Sequence, residues 1–134
     1  MMGGAIKQFG VIPYIKKSGK WRLVLITSRT SGNWIFPKGG RVVGKSAEES
    51  ALQEAFEEAG LKGRIVGRYA YKSVLKRGGR SIALTLYPMR VERLLADWPE
   101  KRERRRVIVP LKSARSMMDY PAMQRCLQDW VKSR

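Results

Sequence analysis

Apolar and polar positions change their period several times along the chain, and each change marks an element. Phe9 to Lys16 is apolar and β-prone. After the turn signal Ser18-Gly19, Trp21 to Ser28 alternates, with Trp21, Leu23, Leu25 and Thr27 on one side and Arg22, Val24, Ile26 and Ser28 on the other. Alternation of this kind predicts a strand with at least one buried face, and the two runs about their turn predict a hairpin. Pro13 inside the first run predicts an edge strand or a bulge. Trp34 to Phe36 is a short apolar stretch that stops at Pro37, followed by Lys38-Gly39-Gly40, a loop given backbone freedom by its glycines. Ser46 to Ala59 predicts a helix: Ser46 with Glu49 makes a capping box, and Gly60 stands where a helix ends. Arg64 to Val74 and Ser81 to Val91 read as an antiparallel strand pair around the basic turn Lys76 to Arg80. Arg93 to Arg106 reads as a polar loop and Val107 to Val109 as a short strand. Leu111 to Met118 reads as a short helix. Pro121 to Lys132 reads as a terminal helix with proline in its first turn, packing Met123, Cys126, Leu127 and Trp130. The class is α/β with a mixed sheet.

Composition narrows the chemistry. A chain of 134 residues, 43% hydrophobic and 29% charged, can bury one core, so 1–134 is expected to be a single domain. Its 28 Lys and Arg against 11 Asp and Glu leave +17, a field that attracts polyanions. The absence of histidine excludes Ser-His-Asp triads, Cys-His dyads and imidazole-bound zinc. The lone Cys126 excludes an internal disulfide and reads as a small core residue. Acid–base chemistry must fall to carboxylates, Lys, Tyr or metal-bound water. Met1 to Lys7 does not read as a signal peptide, and no apolar run is long enough to span a membrane, so the expected location is cytoplasmic with no membrane partner.

Five of the eleven acids lie between Glu48 and Glu58. At about 100° per residue, with Glu54 at zero, Glu57 falls at about −60° and Glu58 at about +40°. Leu52, Ala55, Phe56 and Ala59 fill the adjoining arc and are expected to face the core. Like charges at these spacings repel, and no basic residue lies at helical spacing from them. The bland reading is a solvated acidic face; the sharper one is a stripe that asks for a cation. Mg²⁺ suits it, with one or two carboxylates, waters and substrate phosphates as ligands, and a carbonyl from the glycine loop can complete the set.

The stretch Gly39 to Leu61 resembles the Nudix box, the signature of the Nudix hydrolases. Gly39 stands first, Glu54 takes the Glu of the Arg-Glu pair, Ala55 the aliphatic place, Glu57 and Glu58 the Glu-Glu pair, Gly60 the glycine and Leu61 the last apolar place. A pattern of this length with its spacing intact is far more specific than a lone glycine motif. Two places depart: Lys45 stands for the first Glu and Gln53 for the Arg. In the family that pair helps to aim a metal-binding Glu; here Lys45 can at most hydrogen-bond the Gln53 amide oxygen. Ser28-Arg29, Trp34, Pro37-Lys38-Gly39 and Trp98-Pro99-Glu100 are further similar to bacterial relatives of the diphosphoinositol polyphosphate phosphohydrolases, a branch that includes enzymes cleaving diadenosine polyphosphates.

The resemblance implies an α/β/α sandwich with a loop-helix-loop catalytic motif, and hydrolysis of a phosphoanhydride in a nucleoside diphosphate linked to another group, a dinucleoside polyphosphate or an inositol pyrophosphate. Glu54, Glu57 and Glu58 would hold Mg²⁺ or Mn²⁺ with a backbone carbonyl of Lys38 or Gly39. Glu54 is one candidate for the base; Glu103 outside the box is another, with Glu100 behind it. Arg29, Lys38, Gly39 and Arg41 flank the expected site and are candidates for binding substrate phosphates. Trp34 is a candidate pocket residue, while Trp21 and Trp130 read as structural. The alternatives are a polyanion- or RNA-binding module without catalysis, which the charge favours and the carboxylate stripe opposes, and a sensor that binds a phosphorylated metabolite without cleaving it. Nucleic acid is therefore the less favoured partner beside a small polyphosphate. No sequence feature specifies an oligomeric state.

Overall fold

The computed structural model describes residues 6–134; the N-terminal reading of Met1 to Ala5 lies outside the described residues. The elements run β1 (Ile6–Lys17), β2 (Lys20–Thr27), β3 (Trp34–Ile35), β4 (Lys38–Gly39), α1 (Ala47–Ala59), β5 (Leu61–Ile65), β6 (Tyr71–Arg77), β7 (Arg80–Leu94), β8 (Arg106–Pro110), α2 (Leu111–Met117) and α3 (Pro121–Lys132). The sheet is mixed. Its main path is β3-β2-β1-β7-β5, with β4 on β1, β6 on β7 and β8 on β2. β1 and β7 are parallel along Ile6 to Tyr14, and the other pairings are antiparallel.

Both faces of the central strands are covered. Val11 and Ile12 in β1, and Leu23, Val24, Leu25 and Ile26 in β2, are all fully buried, although successive side chains point to opposite faces. Such strands read as apolar runs rather than clean alternations. Helices therefore pack on both sides, giving the expected α/β/α sandwich. The expected hairpin forms, with Tyr14 opposite Leu23 and Lys17 opposite Lys20.

Pro13 departs from expectation, because β1 is central. Its partners change at that point: β4 pairs at Phe9 and Gly10, and β2 takes over from Tyr14. The Val11 N–H donates to the Pro37 carbonyl on that side. Pro13, two residues on, turns its missing N–H to the same side, where the ladder passes from one neighbour to the next. The predicted strand Arg64 to Val74 also divides. Gly67, with φ at 82°, turns the chain between β5 and β6, and both strands pair with β7: Ile65 with Met89, then Tyr71 with Leu86.

Helix α1 begins as its sequence predicts. The Ser46 side chain accepts from the Glu49 N–H, and the Glu49 carboxylate accepts from the Ser46 N–H. Its sheet-facing side is narrower than expected: Ala51, Ala55 and Ala59 are buried, whereas Leu52 and Phe56 are only half-buried. Small side chains let the helix lie close on β1, near β4. In α3, Met123, Cys126, Leu127 and Trp130 are buried as expected, and Tyr14, Trp21 and Trp130 form one aromatic cluster. Burial pushes the Cys126 thiol up to about 12, which fits an inert core residue.

Gly60 ends α1 in the left-handed conformation, φ 66°, and a Cβ there would come within 2.7 Å of the Trp98 ring. Gly60→Ala is expected to lower stability by about 1–2 kcal/mol from the backbone alone, with displacement of the ring adding to it. Urea unfolding measures the loss; an unchanged midpoint contradicts the role assigned to this glycine.

Candidate active site

The acidic stripe of α1 divides in the fold. Glu54 and Glu58 turn toward β4 and line a cleft of about 280 Å³ together with Gln8, Arg29, Lys38, Arg77, Glu100 and Arg104. Glu57 lies on the other side, along a groove of about 540 Å³ that also holds Lys45 and Gln53. There the Gln53 amide nitrogen donates to Glu57 Oε2 at 2.9 Å. Gln53 thus orients one of the candidate metal-binding carboxylates. The hydrogen bond foreseen between Lys45 and Gln53 is not among those of the described residues. Lys45 instead accepts at its carbonyl from Arg41 Nε, 3.0 Å away.

Gly39 explains its own identity. A Cβ there would come within 2.4 Å of the Glu54 carboxyl carbon, so the close approach of Glu54 to the β4 backbone requires glycine. This is a requirement of space, since neither Gly39 nor Gly40 has a positive φ. The Lys38 N–H donates to Glu58 Oε1 at 3.2 Å, and Lys38 Nζ donates to Gln8 Oε1 at 2.6 Å. Burial lowers the proton affinity of Lys38, against the pull of Glu58.

In the sequence Arg104 is one cation in a basic run, with nothing local to set it apart. The fold buries its side chain to 6% exposure and joins it to three groups. Nε meets Glu100 Oε1 at 2.8 Å, Nη2 lies 3.6 Å from Glu58 Oε2, and Nη1 donates to the Thr27 carbonyl at 3.0 Å. Its ion-pair partners lie 46 and 4 residues away along the chain, so the pairing with α1 is invisible to helical spacing. Glu100 reaches the cleft. Glu103 does not line it; its carboxylate sits 3.6 Å from Arg29 Nη1, half-exposed. Arg29, also 3.9 Å from Glu100, borders the cleft. Arg41 lies on the loop before α1, away from the cleft. Trp34 does not line the cleft and lies beneath Arg105, 5.7 Å away. Two cleft residues from outside the box, Gln8 and Arg77, had no signal of their own beyond the basic turn that carries Arg77.

Burial raises the proton affinity of Glu58, to about 8, against the opposing pull of Arg104; the nearby Glu54 carboxyl adds to the rise. Burial likewise raises Glu54. The pair therefore favours holding a proton, or a cation in its place. The donors are hard oxygens: two carboxylates, with the Lys38–Gly39 backbone against them and Glu100 across the cleft. Among the described residues no three acidic or thiol groups converge as a ready cage. That arrangement still fits Mg²⁺ or Mn²⁺, since Mg²⁺ keeps waters and takes substrate phosphates beside one or two carboxylates.

A proton on Glu58 gives stability a predicted slope. Between 4.5, its ordinary value, and about 8, the folded metal-free chain holds a proton that the unfolded chain has released. The folded state then binds more protons, so stability falls as pH rises through this window. The chain has no histidine to add its own titration there. Urea midpoints measured across the window should decline, and Glu58→Gln should flatten the decline. A midpoint that rises with pH contradicts the shift.

Residues 6–129 match the family described as NUDIX domain. The chain is similar to Nudix hydrolase 21, chloroplastic, of Arabidopsis thaliana, with 31% identity over 132 residues that cover 93% of this chain and 66% of that protein. Over 78 residues, 58% of this chain and 42% of the other, it is 31% identical to Diphosphoinositol polyphosphate phosphohydrolase 2 of Mus musculus. The crystal structure of C. elegans Ap4A hydrolase has the same fold, with a TM-score of 0.80 at 18% identity, covering 97% of this chain and 98% of that one. The chain spans 66%, 70% and 60% of the length of three plant relatives that it matches. No helix among the described residues is long and apolar enough to cross a membrane. The loop-helix-loop, the cleft it borders and these likenesses agree: the chain belongs to the Nudix domain family.

Proposed function

We propose that this chain is a single catalytic domain that hydrolyses a phosphoanhydride bond with the help of Mg²⁺ or Mn²⁺. The observation that carries this reading is the buried pair Glu54 and Glu58 facing a cleft that also holds Arg29, Lys38, Arg77 and Arg104. Acids alone would suit a cation and cations alone an anion. Both together suit a metal-bound polyphosphate.

Glu54 and Glu58 would hold the ion, with a carbonyl of Lys38 or Gly39, and Glu57 would join on release from Gln53. When bound, a divalent ion there would neutralise phosphate charge, polarise a phosphoryl oxygen and acidify water. The chain's own groups do the rest. Arg29 and Arg77 border the cleft and would bind flanking phosphates. Lys38 points its ammonium at Gln8 and adds a positive charge at the cleft. Glu100 faces the cleft, where its carboxylate would add negative charge toward the ion and is the proposed acceptor of the water proton, while Glu103 serves to hold Arg29.

Among the described residues the cleft lining has one apolar side chain, Ile35, and no aromatic ring to stack on a base. Recognition through phosphates is therefore favoured over recognition through a nucleobase. Within the range of substrates set by the resemblance, an inositol pyrophosphate fits this lining better than a diadenosine polyphosphate. The name of the mouse relative supports the same choice.

The test is phosphate release from inositol pyrophosphates and diadenosine polyphosphates, with Mg²⁺, with Mn²⁺ and with chelator. Chelator should abolish release, and kcat/KM should be higher for the inositol pyrophosphate. Glu100→Gln should lower kcat about 10²-fold or more, and Glu103→Gln should cost less. Equal release with chelator present refutes the metal role; the larger loss in Glu103→Gln refutes the assignment of the base.

A further inference from the structure

The segment from Leu95 to Arg106 closes over the C-terminus of α1. Helix ends leave their last carbonyls without a partner inside the helix. Here four successive carbonyls each receive a donor from this one segment. The Glu100 N–H donates to the Glu57 carbonyl at 3.0 Å, and Trp98 Nε1–H to the Glu58 carbonyl at 3.0 Å. Arg106 Nη1 donates to the Ala59 carbonyl at 2.9 Å, and the Leu95 N–H to the Gly60 carbonyl at 2.8 Å. The Trp98 ring lies against Gly60, and the Arg106 guanidinium stacks 4.1 Å from its centroid. α1 has no basic residue in its last turn, so Arg106 brings the positive charge that the negative end of the helix dipole favours.

Satisfying a helix end does not require an indole, a guanidinium and two backbone amides from one loop. What this set adds is position. Glu100 is itself one of the four donors, two residues from Trp98, so its backbone is fixed relative to the turn bearing Glu57 and Glu58. Arg104 then bridges its carboxylate to Glu58. The carboxylate outside the box thus takes its place from the carbonyls of the helix that carries Glu54 and Glu58.

We propose that Trp98 and Arg106 are positioning residues of the active site, whose side-chain N–H groups fix Glu100 opposite Glu54 and Glu58. The proposal rests on the reading of the cleft as a metal-dependent site, and its test separates the two. Trp98→Phe keeps a ring on Gly60 and removes the indole N–H; Arg106→Gln is the second variant should the first fail to fold. Mn²⁺ binding to the full chain is followed by electron paramagnetic resonance, and hydrogen exchange of the Glu100 amide is followed in the metal-free chain. Trp98→Phe should weaken Mn²⁺ binding about tenfold, as loss of a supporting partner does at metal sites. It should also speed exchange at Glu100 while leaving amides of β1 and β7 protected. In a Glu100→Gln background the same change should add no further loss of Mn²⁺ binding, because its effect passes through that carboxylate.

Unaltered Mn²⁺ binding and Glu100 exchange in both variants would overturn the proposal. So would an equal loss with and without Glu100, which would mark a general loosening of the helix end. If Mn²⁺ binding and its coupling hold while no polyphosphate is cleaved, the clamp stands and the hydrolase reading falls. Cleavage with uncoupled Mn²⁺ binding means the reverse.

Discussion

Glu54 and Glu58 stand side by side on one face of α1, and Glu58 is almost out of reach of water. Two carboxylates in that position repel each other and resist ionisation. Much of the surrounding structure answers to that constraint. Gly39 has no side chain because the Glu54 carboxyl needs the space. The Lys38 N–H and the Arg104 guanidinium point at Glu58. The remaining charge is left for a proton or a metal ion to balance. A buried charge cluster of this kind contributes little to stability by itself, which accords with the proposed role of the pair in holding a cation.

The cations follow the same division of labour. Most of the net +17 is spread over the surface, where single ion pairs contribute little. Arg104 is different because its side chain is buried between Glu58 and Glu100. Arg106 is different because it sits at a helix end and on a tryptophan. Neither is distinguished from Arg102 or Arg105 by composition. Their roles come from where β8 begins, since Arg106 is its first residue and pairs with Ile26 on β2.

What the sequence made legible was local. The capping box at Ser46, the stop at Gly60, the hairpin at Ser18-Gly19 and the span of α3 each depend on neighbours within a few residues. The helical angle of Glu54 and Glu58 was legible for the same reason. Contacts between distant segments were not. Pro13 looked like an edge signal because nothing local shows that β1 exchanges β4 for β2 beside it. Glu103 lies inside the charged run Lys101 to Arg106 and Glu100 just before it, and nothing local tells which of the two reaches the cleft, because the hydrogen bond that ties Glu100 to Glu57 spans the whole of β5 to β7. The split of the acidic stripe between two grooves depends on which segments pack on either side of α1, and on the Glu57 side the Gln53 amide donates to the carboxylate.

The central claim is that the metal sits between Glu54 and Glu58 rather than in the larger groove beside Glu57 and Gln53. Anomalous scattering from crystals of the chain grown with Mn²⁺ tests it most directly. The account predicts a manganese peak bounded by Glu54, Glu58 and the Lys38–Gly39 backbone, with Glu100 on the far side. A peak confined to the groove lined by Lys45, Glu49 and Glu57, or manganese nowhere near α1, would contradict it.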